Sequence, residues 1–216
     1  MKANHDKIRD SISRYTSALG TVGSGNREIL WQPLYDSMRL ESGPFRGEFF
    51  SRPVGLPPEK PKTHEDTNLY LANQLTGQNE FLVTSIGVYF VPNIDWVANT
   101  QSRNLYDALH VLWCGFLEFG VQMRTYLKMA PLGAVPPQFP MYWARDETAL
   151  AQMILHPTKV EGESVDKSVI PFELKPIYIP AMSCFWARIT IDNAFKLSSP
   201  GKLGVMLDGY LIRQEF

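Results

Sequence analysis

Charge of one sign, long apolar runs and clustered metal-ligating side chains are all missing from this chain of 216 residues. Twenty-one basic residues stand against 22 acidic ones, so no bulk electrostatic force draws the protein to nucleic acid, and no specific nucleic-acid partner is expected. No stretch approaches the roughly eighteen consecutive apolar residues of a spanning helix. The N-terminal stretch lacks the apolar core of about seven to fifteen residues that marks a secretory signal, and the chain is read as soluble and cytoplasm-made. The four histidines, His5, His64, His110 and His156, are isolated, and without an H-x-H pair the metal site of a cupin-type enzyme is missing. His110, beside Leu109 and Val111, reads as a satisfied or half-buried side chain. There is no G-x-S-x-G elbow and no phosphate loop, and Ser24 between Gly23 and Gly25 lacks a strand–turn–helix setting. His64-Glu65-Asp66 reads as a solvated loop, because three consecutive side chains rarely converge on one ion. The expectation is a non-enzyme without cofactor, metal or small-molecule substrate. The two cysteines, Cys114 and Cys184, lie in apolar, strand-like contexts and read as buried free thiols, with a disulfide between them left open.

What the chain does have is aromatic and punctuated. Its hydrophobic fraction of 44% is ample for a core, and 12% aromatic residues suit half-buried pleated surfaces. Sixteen prolines and fifteen glycines imply many turns rather than a helical bundle. Near the C-terminus Phe185, Ala187, Ile189 and Ile191 alternate with Trp186, Arg188, Thr190 and Asp192, the period of two of a half-buried strand. Leu203, Val205 and Leu207 repeat it, and the two runs are expected to pair. Asp208-Gly209 reads either as a hairpin turn or as a bulge in one continuous terminal strand, with the bulge favoured. Arg188 is expected to pair with a neighbouring carboxylate or to stack on Trp186.

Further strands are expected over 68–72, over 81–91 (Leu82, Ile86, Val88 and Phe90 on one face, Val83, Ser85, Gly87 and Tyr89 on the other), over 117–123, and over 172–179, broken by Pro176 as suits an edge or a bulge. Residues 29–63, rich in proline, read as irregular apart from an edge strand at 46–50. Short helices are expected over 102–112 and from about Arg145. Residues 1–28 form a polar arm in which Ile8, Ile12, Tyr15 and Leu19 make one helical stripe. It packs on its own chain, docks on a neighbouring subunit or lies on a membrane surface. Residues 29–216 form one domain. With no repeated strand–helix–strand alternation, the class is all-β: an antiparallel β-sandwich of jelly-roll type with long proline-rich loops and a few short helices.

The layout of the arm, residues 68–75, 81–90, 115–123 and 126–132, Pro136-Pro137 and the two terminal strands resembles jelly-roll coat proteins of icosahedral bacterial viruses, particularly the membrane-containing lineages. That resemblance covers about two-thirds of the chain. It implies a structural virion protein that self-assembles into a shell in the host cytoplasm, with copies of itself and other capsid proteins as partners and lipid contact through the arm. It also implies that Phe45, Phe49, Phe50, Phe139, Tyr142 and Trp143 are exposed in loops and, with Ile8, Ile12 and Tyr15, form subunit contacts, where aromatics are enriched. The alternative is a carbohydrate-binding sandwich of a spike or adhesin, whose mark would be two or three coplanar exposed aromatics on one face. A jelly-roll enzyme ranks last, given the scattered histidines.

Overall fold

The computed structural model describes residues 27–91, 107, 110–111, 113–135, 141–144, 152–155, 176–191 and 195–214. Ile8, Ile12, Tyr15 and Phe139 lie outside the described residues. The strands are β1 (Arg27–Trp31), β2 (Leu34–Leu40), β3 (Phe45–Phe49), β4 (Glu80–Val91), β5 (Gly115–Val121), β6 (Arg124–Pro131), β7 (Met141–Ala144), β8 (Gln152–Leu155), β9 (Ile177–Ile179), β10 (Phe185–Ile191) and β11 (Gly201–Gln214), with a 3₁₀ turn at Leu132–Ala134. β1 takes up Arg27 and Glu28, which the sequence division assigned to the arm.

Two antiparallel sheets form a sandwich. One has the order β1-β11-β4-β9, with β2 sharing the β1 side of β11; the other has the order β3-β10-β5-β6. The pairing is nested: β2 joins β11, β3 joins β10, β4 joins β9 and β5 joins β6. The β7–β8 hairpin forms a separate two-stranded sheet between β6 and β9 in the chain. The two C-terminal strands, expected to pair with each other, therefore do not. β10 and β11 belong to opposite sheets and face one another across the core.

The inward alternation is what brings the sheets together. Phe185, Ala187, Ile189 and Ile191 of β10 are buried against Leu203, Val205 and Leu207 of β11 and Phe81, Val83, Ile86, Val88 and Phe90 of β4 in one apolar cluster. Each large side chain so buried contributes about 1.5–3 kcal/mol. Val83 changes face relative to the sequence reading, and Leu82 does too. The pairing of β4 with β11 shifts register between Asp208 and Gly209, and Thr84 is the extra residue. A single inserted residue reverses the parity beyond it, so Phe81 and Val83 point into the core while Leu82 points out. The terminal strand is continuous, as favoured, but the extra residue of the bulge lies in β4 opposite Asp208-Gly209, and the Thr84 hydroxyl donates to the Asp208 carbonyl at 3.2 Å.

Other differences have local causes. The 117–123 alternation is broken into a hairpin because Gln122 takes φ of 54° and turns the chain into β6 without glycine. β1 and β2 arise in the stretch expected to be irregular, since Pro33 merely separates two strands that add to β11 in succession. Residues 68–72 lie in the long β3–β4 connection and make only an isolated bridge, Leu71 to Gln74. The short helix expected from about Arg145 falls on residues outside those described, and the stretch ends in strand at Gln152–Leu155. Helical backbone is found at 107, 110–111 and 113–114, within and just beyond the expected 102–112. β3 and β9 are edge strands, as expected.

Gly209 packs on the Leu82 carbonyl so closely that a Cβ would collide with it. Gly209→Ala is expected to lower stability by about 1–3 kcal/mol through overpacking at the bulge, read as a shifted midpoint in urea unfolding. Gly43→Ala, at a glycine with positive φ (113°) and open space around it, is the contrasting case of backbone strain without collision.

Candidate functional site

β2 carries Leu34, Asp36, Met38 and Leu40 on its inward side, which puts a carboxylate in an apolar slot. The slot is filled from the β3–β4 connection. Lys62 Nζ donates to Asp36 Oδ1 at 2.5 Å, and the Phe50 backbone N–H donates to Oδ2 at 2.7 Å. Burial pushes the Asp36 carboxyl above its ordinary range, while Lys62, the Phe50 N–H and Thr67 pull it back. Around this pair the connection is laced to the free side of β2. Asn68 exchanges bonds with Tyr35 and Pro33, Ser37 Oγ donates to the Asp66 carbonyl, and Tyr35 Oη donates to the His64 carbonyl. Lys202 of β11 closes the arrangement on Asp66 at 2.8 Å. Partial burial raises the Asp66 carboxyl, but the bonds from Lys202 and the Thr63 backbone outweigh it and hold the group below its usual range. His64-Glu65-Asp66 is therefore a clamp on the sheet rather than a merely solvated loop.

At one end of the sandwich the β3–β4 connection, the β5–β6 turn and the β9–β10 turn lie side by side. Asn73 N donates to Phe50 O (2.7 Å), Phe185 N to Asn73 O (2.9 Å), and Gln122 N to Cys184 O (2.6 Å). Gln122 Nε2 adds a bond to Ser183 Oγ at 2.9 Å. Phe50, Asn73, Gln122 and Met182 are four of the five non-glycine residues with positive φ among those described. Such backbone persists only where surrounding structure fixes it, and it clusters where function demands a set shape. The β5–β6 and β9–β10 turns expose Met123 (103%) and Met182 (74%) beside Gln122 and Cys184, and the connection exposes Tyr70 (63%) and Leu71. Exposed apolar clusters of this kind mark interaction surfaces. No pattern in the sequence singled out Met123, because it continued the apolar alternation of β5.

Of the residues expected to be exposed contacts, Phe49 and Phe50 are wholly buried. That expectation is corrected: the Phe50 ring packs on Phe185 with centroids 5.3 Å apart, and Phe49 points inward from β3. Phe45 is half-buried against the same cluster. Tyr142 and Trp143 belong to β7, paired with Ile154 and Met153. Both cysteines are free, but Cys184 is exposed and Cys114 half-buried, not buried. His110 is exposed, its ring 6.4 Å from that of Phe195. Arg188 makes both contacts foreseen for it, lying between Glu48 and Glu118 with its guanidinium 5.4 Å from the Trp186 ring. Among the described residues no three His, Cys, Asp or Glu side chains converge as a metal site would require, and no helix is long and apolar enough to cross a membrane.

No family model, curated protein or solved structure matches the chain.

Two outcomes test the clamp. Lys62→Met strands a buried carboxylate and is expected to cost about 3 kcal/mol in denaturant unfolding, with Asp36→Asn/Lys62→Met recovering much of the loss. The second concerns Tyr89, whose phenol is pushed up to about 12, mainly by burial, across Gly204 and beside Ser37. The unfolded chain releases this proton near pH 10 and the folded protein only near 12. In that window the unfolded chain binds fewer protons, so stability falls as pH rises, by about 2–3 kcal/mol across it. Tyr89→Phe is expected to flatten this decline in unfolding curves recorded from pH 9 to pH 12.

Proposed function

We propose that this chain is a structural virion protein, a jelly-roll coat subunit that self-assembles into an icosahedral shell. The observation that carries the reading is the nested pairing. Eight of the nine sandwich strands, paired first with last down to the β5–β6 hairpin, support a jelly-roll built from two Greek keys, with β1 extending one layer beside β2. Here the layers are β2-β11-β4-β9 and β3-β10-β5-β6. Coat and lectin domains share this architecture, so fold alone does not choose between them.

The sandwich end supports the coat reading. Fixed turns carrying exposed Met123, Met182 and Tyr70 provide a rigid apolar surface, and methionine and aromatic side chains are enriched at subunit contacts. This replaces Phe49 and Phe50 as the candidate contact surface. Copies of the same chain are the partners, other capsid proteins and a lipid layer reached through the arm completing the assembly, in the virion.

Light scattering and electron microscopy of the purified protein at high concentration are expected to reveal closed oligomers or shells. Met123→Asp/Met182→Asp is expected to shift assembly to higher protein concentration by about tenfold or more while leaving the circular dichroism spectrum unchanged. A monodisperse monomer for the unaltered protein at all concentrations would refute the proposal.

A further inference from the structure

The outward face of the β1-β11-β4-β9 sheet carries an aromatic row. Trp31 is the register partner of Tyr210, Tyr210 of Leu82, and Leu82 of Tyr178, so the four side chains cross four strands on one side. Neighbouring strands lie about 4.8 Å apart, which sets the row at roughly 14 Å from end to end. The register shift at Thr84 is what makes it: without the extra residue, Leu82 and Tyr178 would stand on the core side of this line. Trp31 is 64% exposed, and its indole N–H donates to Asp208 Oδ1 at 2.8 Å, fixing the ring on the sheet. Tyr210 and Tyr178 are half-buried, and Leu82 is buried between them without belonging to the inter-sheet cluster. Among the described residues the second Asp208 oxygen has no partner.

We propose that this face is a saccharide-binding platform, with Trp31 and Tyr210 stacking on sugar rings and Asp208 accepting from their hydroxyls. A pyranose has one face of C–H groups and a rim of hydroxyl donors. The row supplies the matching surfaces: flat, partly polar rings with an apolar body, and a carboxylate oxygen able to accept a hydroxyl proton beside them. Asp208 and Glu80, which follows on the same face beside Ile212, oppose a phosphate backbone. A purely apolar occupant would bury the Asp208 carboxylate at a cost. Sugar is the ligand whose chemistry uses both halves of the site. This adds glycan attachment to the outer surface of a sandwich whose proposed contacts lie at its end, and it holds or fails independently of shell assembly.

The full chain is to be titrated with cellohexaose, chitohexaose and mannohexaose at up to millimolar concentration by calorimetry, and run through gels containing soluble mannan or hydroxyethylcellulose. Retardation or heat with at least one of these is expected. Trp31→Ala is expected to weaken that binding about tenfold or more, with Asp208→Asn weakening it too, while Trp113→Ala, exposed elsewhere, leaves it unchanged. Because Trp31 is exposed on a side strand, Trp31→Ala is expected to keep the native circular dichroism spectrum and melting behaviour. Silence with every probe overturns the proposal, as does binding that survives Trp31→Ala or is lost equally in Trp113→Ala. An oligomer that dissociates on Trp31→Ala also overturns it, by making the face a contact between copies.

Discussion

The whole arrangement depends on the last strand lying between strands from the first half of the chain. β11 hydrogen-bonds β1 and β2 on one side and β4 on the other. Closing so large a chain segment costs entropy that grows slowly with length but must be met before any of these pairs forms. With β11 in place, its inward Leu203, Val205 and Leu207 share one apolar cluster with β10. The sandwich is stable because strand pairing and apolar burial are satisfied by the same long-range closure, so neither sheet can persist without the other.

Polar interactions then fix which parts of the loops are rigid. The Asp36–Lys62 pair sits where an apolar residue would have served the alternation of β2, and it draws the proline-rich connection onto the side of that strand. A buried ion pair gives little net stability against an apolar substitute, yet losing one partner is expensive. Its consequence here is positional. Phe50, held through its N–H by Asp36, reaches Asn73, and Asn73 reaches Phe185. The apolar end surface thus inherits its shape from a carboxylate inside the sandwich. Charges on the other sheet do different work: Arg188 balances Glu48 and Glu118 over β3, β10 and β5, and Arg46 and Glu48 keep the exposed β3 edge from recruiting another strand.

The two candidate surfaces are products of irregularity. The end surface is made of turns with left-handed backbone, and the aromatic row follows from a one-residue bulge. In a perfectly regular sheet Leu82 and Val83 would exchange faces. Regular strands build the scaffold, and its departures from regularity aim particular side chains at solvent.

Local periodicity in the sequence was sufficient to determine the all-β class, the strand at 185–191 with every inward side chain correct, most of β4, the edge character of β3 and β9, and the bulge near Gly209. These rest on side-chain alternation and on glycine or proline chemistry, which act over a few residues. Only the tertiary structure decided that β10 and β11 belong to different sheets, that Phe49 and Phe50 are core rather than contact residues, and that Lys62, Met123 and Met182 matter. Alternation tells which side chains share a face but not which strand lies alongside or which face meets the other sheet. Partners such as Asp36 and Lys62, or Trp31 and Tyr210, are joined by closure over long stretches of chain, and no local pattern encodes that distance.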